Sequence, residues 1–163
     1  MSARLSLIVA AVVAAACSNP SASTGAAPTP SATPSTTSSS IGASSKTSTW
    51  DGVYTTAQAQ RGATLFAATC DKCHGPGAVG SADDGGRLVG KEFFEHYDGV
   101  TTDQLFSMIQ DLMPLDNPKT LPAKDVADIT AYLLSENQMP AGSTPLSDDP
   151  AQLKGLMISA TKP

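Results

Sequence analysis

Five consecutive residues, Cys70-Asp71-Lys72-Cys73-His74, set two thiols three positions apart with an imidazole directly after the second. Thiols at this spacing serve several chemistries. A thioredoxin-like dithiol uses C-x-x-C, but in a βαβ setting that the surrounding residues do not supply. Zinc wants four ligands, and the one other histidine, His96, fits neither H-x₃₋₅-H nor a second cysteine pair. A structural disulfide between Cys70 and Cys73 would leave His74 without a role. Covalent haem attachment uses all three side chains. On one helical turn the two sulfurs can reach the two vinyl groups of a single porphyrin as thioethers, and the imidazole meets the iron from the proximal side. The motif therefore assigns Cys70 and Cys73 to one covalently bound haem c, and His74 to the fifth position of its iron.

The sixth position decides whether such an iron shuttles electrons or stays open to substrates, and methionines and His96 are the candidates. Met108 falls in the pattern Leu105, Met108, Ile109, Leu112, an i, i+3, i+4, i+7 stripe that reads as a packed helix face. Met113 sits where that helix runs out and opens the turn-rich run Met113-Pro114-Leu115-Asp116-Asn117-Pro118. Prolines stiffen this run against helix formation. A weak thioether bond needs a backbone fixed in advance, so Met113 is the expected ligand. Met139 follows the last helix, where the chain is expected to be leaving the domain, and Met157 lies in an apolar tail and is expected to pack. His96, on the short helical piece Lys91 to Tyr97, reads as a surface or edge residue.

These side chains need helices to hold them. Thr55-x-x-Gln58 reads as a capping box that opens a first helix ending at the two cysteines, with Gly62 and Phe66 on one face. A last helix, Asp125 to Ser135, carries Val126, Ile129, Tyr132 and Leu133 at helical spacing. Gly62 can admit a neighbouring backbone there, and Tyr132 can pack beside Phe66. Asp83-Asp84-Gly85-Gly86 lacks the ligand pattern of a calcium loop and reads as a solvated turn.

From Thr55 to Gly142 the sequence resembles class I cytochrome c, and more closely the single-haem cytochromes that accompany quinoprotein alcohol and sugar dehydrogenases. The matching pieces are Gly62-x-x-Leu65-Phe66, the haem motif, Leu88-Val89-Gly90-x-x-Phe93, Met113-Pro114-x-x-x-Pro118-x-x-Leu121, Ala131-Tyr132-Leu133-Leu134, and Asn137-x-x-Pro140-Ala141-Gly142. The resemblance implies an all-α class I cytochrome c fold, with three to five helices around one haem c. It also implies a crossing of the first and last helices on the Gly62 face. Where the family often has a proline whose carbonyl accepts a hydrogen bond from the proximal imidazole, this chain has Gly86-Arg87, and which residue supplies the carbonyl is left open. Proline at 122, in place of the family's usual serine, suits a first helical turn.

Charge and cysteine usage bound the remaining possibilities. All 15 acidic residues lie from Asp51 onward with only 8 basic ones, which excludes a basic nucleic-acid footprint. Arg4 precedes an uninterrupted run of small and aliphatic residues from Leu5 to Ala16, followed by Cys17. As a helix this run reaches only about 18 Å, against roughly 30 Å of bilayer hydrocarbon, so it reads as a signal peptide, residues 1–16, and the protein as exported. Ala14-Ala15-Ala16-Cys17 resembles a lipoprotein processing box, which would make Cys17 the lipidated N-terminus. Residues 17–49 are then a tether: of the 32 after Cys17, 11 are Ser, 7 Thr, 4 Pro and 5 Ala, too little apolar surface to offset chain entropy. Residues 50–142 form the haem domain, and 143–163 a tail packing back through Leu153, Leu156 and Ile158.

With both axial positions filled, the expected function is one-electron transfer without catalysis, in the periplasm or at the cell surface and anchored to a membrane by lipid. The resemblance implies a quinoprotein dehydrogenase as donor and an oxidase or another cytochrome as acceptor. The competing expectation is a haem enzyme or gas sensor whose sixth site is open.

Overall fold

Packing begins where α1 (Thr56–Thr69) crosses α5 (Ala123–Glu136). A Cβ added to Gly62 would lie 1.8 Å from the Asp128 carbonyl oxygen, so the two backbones touch where a side chain is missing. Beside that contact the Phe66 and Tyr132 rings pack with centroids 5.1 Å apart. Phe66, Ile129, Leu133 and Leu134 are buried, each contributing about 1.5–3 kcal/mol of apolar burial. The computed structural model describes residues 46–81 and 86–163. The readings for the signal peptide, for Cys17 and most of the tether, and for Asp83 to Gly85 fall outside those residues.

Two more helices complete the scaffold, α3 (Lys91–Tyr97) and α4 (Thr102–Leu112), with single turns at α2 (Asp71–His74) and α6 (Pro150–Leu153). Among the described residues there are no strands, only two isolated bridges, Ser48 with Met157 and Thr101 with Met157. The all-α fold expected from the sequence is the fold observed. Among the described residues no helix is long and apolar enough to cross a membrane.

Caps explain the helix boundaries. The Thr55 side chain accepts from the Gln58 N–H at 3.2 Å, so half of the expected capping box is present. The other half is not. Gln58 turns away from Thr55 and clamps the tail instead: its Nε2 donates to the Leu146 carbonyl at 3.0 Å, and its Oε1 accepts from the Leu146 N–H at 2.7 Å. Pro122 stands at the N-cap of α5, one position ahead of the first turn, and its carbonyl accepts from Asp125 and Val126.

The C-terminal segment runs between the start of the described chain and the start of α4. Thr49 N–H donates to the Met157 carbonyl at 3.0 Å, and Met157 N–H to that of Thr47 at 2.8 Å. On the other side, Thr102 N–H donates to Leu156 at 2.8 Å and Ile158 N–H to Val100 at 2.9 Å. Trp50 Nε1 adds a bond to the Ser159 carbonyl at 3.0 Å. Leu153, Leu156 and Ile158 are buried, whereas Met157, between two of them, is 41% exposed. An extended backbone sends alternate side chains to opposite faces, so the expectation that Met157 packs is not met. Ser48 and Thr49, from the end of the Ser/Thr-rich stretch, are buried beneath this strap. Met139 is buried as well, at 3%, because the chain folds back after α5 and the Tyr54 hydroxyl donates to the Met139 carbonyl at 2.6 Å.

Candidate functional site

Cys70 closes α1 and Cys73 and His74 lie in the single turn α2, so the attachment motif is a continuation of the first helix with a break at Cys70. Backbone bonds from Cys73 and His74 to the Cys70 carbonyl, at 3.1 and 2.9 Å, wind the segment into the one turn that the spacing requires. Gly75 then takes φ 70°, ψ 158°, and a Cβ on it would lie 2.3 Å from the Gly80 carbonyl oxygen. Only glycine allows the chain to double back there. No disulfide joins Cys70 to Cys73, so neither sulfur is committed to the structural pairing weighed above.

The His74 ring is fixed by a backbone acceptor. Its Nδ1 lies 2.8 Å from the Gly86 carbonyl oxygen, which leaves Nε2 as the nitrogen free to bind a metal. This answers which carbonyl replaces the family's usual one. Phe66 flanks the imidazole, the ring centroids 6.3 Å apart.

Across from these residues, α4 ends at Met113, whose extended backbone (φ −110°, ψ 148°) follows from the proline after it. Met113 is half-buried, and the next peptide, Met113–Pro114, is cis. A cavity of about 420 Å³ is lined by Cys70, Cys73 and His74, by Met113 and Pro114, and by Phe66, Leu88, Ile109, Ile129 and Leu133. A second cavity of about 500 Å³ adjoins it and shares His74, Gly86, Leu88, Ile109, Met113 and Leu133. Its own wall holds Arg87, Glu92, His96, Tyr97 and Met108.

The sequence-derived site residues in the described chain thus converge: Cys70, Cys73, His74 and Met113 line one cavity. Met108 packs against the core, and its sulfur accepts from the Tyr97 hydroxyl at 3.4 Å. His96 is exposed at the rim of the second cavity. The residue that sequence reasoning left open is Gly86, which offers a main-chain oxygen and hence no side-chain signature. Two thiols one turn apart, an imidazole with a single free nitrogen, a thioether opposite and apolar walls form a donor set that fits a covalently held haem. Among the described residues no group of three or more His, Cys, Asp and Glu could hold a bare metal ion.

Residues 57–133 match the family described as cytochrome C oxidase, cbb3-type, subunit III, a stretch just under half of the chain. It contains every cavity residue proposed above from Cys70 to Met113. The fold is that of an all-α class I cytochrome c. Among solved structures, this chain is similar to a chain of the sulfane dehydrogenase SoxCD from Paracoccus pantotrophus, at 24% identity and a TM-score of 0.45. That alignment covers 61% of this chain and about half, 52%, of the other. No curated protein matches the sequence. A cytochrome c domain implies electron transfer through haem.

Proposed function

We propose that this chain is a one-electron carrier with a single covalently attached haem c, bound through Cys70 and Cys73, with His74 and Met113 as the axial ligands. The observation that supports the reading is the cavity lining itself, which brings Cys70, Cys73, His74 and Met113 into one largely apolar cavity. When bound, the haem supplies an Fe(III)/Fe(II) couple that takes up and returns one electron.

The chain's own residues set the conditions for that couple. Two thioether bonds would keep the cofactor in place in a compartment where free haem is lost. The Gly86 carbonyl holds the His74 tautomer and orientation and raises its donor strength. Phe66, Leu88, Ile129 and Leu133 exclude water, and a thioether ligand with apolar burial favours the reduced state. With both axial positions occupied no substrate reaches the metal, so the chain carries electrons rather than making bonds.

Export through residues 1–16, lipidation of Cys17 and a membrane-held tether complete the reading. The donor is a quinoprotein dehydrogenase and the acceptor an oxidase or another cytochrome. The segment from Asp51 carries seven net negative charges, which favours partners with a basic docking face and an association rate that falls with salt.

The optical spectrum of the haem-loaded protein tests the ligation. The parent should show the weak far-red band of methionine-ligated Fe(III) and should not bind CO when reduced. Met113→Ala should lose the band and gain CO binding. A parent that lacks the band and binds CO rapidly would overturn the Met113 assignment and favour an open-site haem enzyme or gas sensor.

A further inference from the structure

We infer that Asn137 is a positioning residue that sets the donor strength of His74, and through it the potential of the haem; this rests on the axial role proposed for His74. The reasoning starts from what holds the Gly86 carbonyl in place. Gly86 has no side chain, and among the described residues no atom lies within 4 Å of where its Cβ would sit. Its neighbour Arg87 is exposed, and its ion pair with Glu92 is loose at 3.7 Å. A side-chain contact at Gly86 is therefore not what fixes the oxygen that His74 needs.

Two residues further on, the backbone is fixed from both sides. Leu88 N–H donates to the Ala78 carbonyl at 2.9 Å, in the turn that follows His74. The Leu88 carbonyl accepts from Asn137 Nδ2 at 3.0 Å. Asn137 Oδ1 accepts from the Gly90 N–H at 2.9 Å, so one side chain grips the loop at two places, two residues apart. Its second Nδ2 proton goes to the Leu133 carbonyl at 2.8 Å, and its own N–H reaches the same carbonyl at 3.1 Å, which ties the grip to the end of α5. Asn137 is 4% exposed.

The amide is the side chain this place requires. It needs two donors and an acceptor in one plane, which aspartate cannot supply when ionised and an aliphatic residue cannot supply at all. Removing it takes a partner from the half-buried Leu88 carbonyl and from the Gly90 N–H and unties the loop from the end of α5, so the loop is free to shift. Gly86 moves with it. A longer Nδ1–H···O contact makes the imidazole a weaker donor, which disfavours Fe(III) and raises the potential.

The experiment compares haem-loaded Asn137→Ala and Asn137→Ser with the parent and with Gln58→Ala, which removes a similarly buried amide side chain and its pair of hydrogen bonds at the tail. Midpoint potential is one reading, and solvent exchange of the His74 Nδ1 proton, followed by NMR in the reduced protein, is the other. Both Asn137 variants should shift the couple toward Fe(II) by threefold to tenfold, tenfold being about 59 mV for one electron. Exchange should quicken about tenfold, while Gln58→Ala leaves both readings at the parent values. If Asn137→Ala does not retain haem, Asn137→Ser, which keeps a hydroxyl at the position, carries the comparison. Parent-like potential and exchange in the Asn137 variants, or equal shifts in Gln58→Ala, would overturn the inference. A parent whose spectrum lacks histidine ligation would overturn the axial assignment beneath it, so the two failures are distinct.

Discussion

Gly62 and Asp128 meet backbone to backbone, with the Asp128 carbonyl oxygen 1.8 Å from where a Gly62 Cβ would be. No side-chain adjustment relieves a clash with a main-chain oxygen, so α1 and α5 would have to part. Gly62→Ala is expected to destabilise the haem-loaded protein by about 3 kcal/mol, the upper end for overpacking. Urea unfolding followed by helical circular dichroism checks it, and a loss below 1 kcal/mol would mean that the crossing can slide.

Asp128 also ties the same crossing through its side chain. Arg61 donates to both carboxylate oxygens, at 2.8 and 2.9 Å, and Lys124 to one at 2.8 Å. Burial pushes this carboxyl up, but the hydrogen bonds from Arg61 and Lys124 outweigh it and hold the pKa below the ordinary carboxylate value. A lowered folded-state pKa stabilises above the unfolded value, near 3.9, and that contribution is lost as pH falls through the folded value. Asp128→Asn should cost about 2 kcal/mol at pH 7, discounted for the solvent exposure of Arg61 and Lys124. The difference between variant and parent should shrink below about pH 4. Denaturant melts across pH test it, and a pH-independent difference would rule out the charge as its source.

Removing Gln58 should loosen the tail without unfolding the helices. Gln58→Ala leaves two Leu146 backbone groups without these partners, a loss of about 2 kcal/mol. Amide exchange at Leu146 should quicken, while the α1 and α5 amides away from position 58 change only with global stability. Uniform quickening would show that tail and helices open together.

Lys72 and Asp116 face each other at 3.4 Å across the mouth of the cavity, but both side chains are mostly in water, 81% and 68% exposed. Such pairs contribute little. Lys72→Ala should change stability by about 0.5 kcal/mol or less, read from the same urea melts; a larger loss would mark the pair as a true latch on the Met113 segment.

The legible part of the site was the part written in contiguous side chains. Cys70, Cys73 and His74 declare their geometry by spacing alone, and Met113 by standing between a helical stripe and a proline. Gly86 was hidden because its contribution is a carbonyl that every residue possesses, 12 positions from the imidazole it holds. Gln58 misled for a related reason: the capping-box pattern is local, and a partner 88 residues away outcompetes it. Asn137 stood in the matched pattern with no evident duty, because its partners lie on a loop 47 and 49 residues upstream. The helices were readable from their apolar periods, while Met139 and Met157 exchanged their expected environments because the return path of the chain decides burial there.

The strap at Met157 grips Thr47 and Thr49 beside the first residues of α4, whereas Met113 closes the other end of the same helix. Eleven residues of helix separate the two, about 16 Å. A tug arriving along the chain through Lys46 is thus taken up by backbone bridges to residue 157 and by the Trp50 indole bond to Ser159, a helix length from the sulfur at position 113. In the function proposed above, a pull along the leading chain would be borne a helix length from the proposed ligand at position 113, so the iron site would be insulated from it.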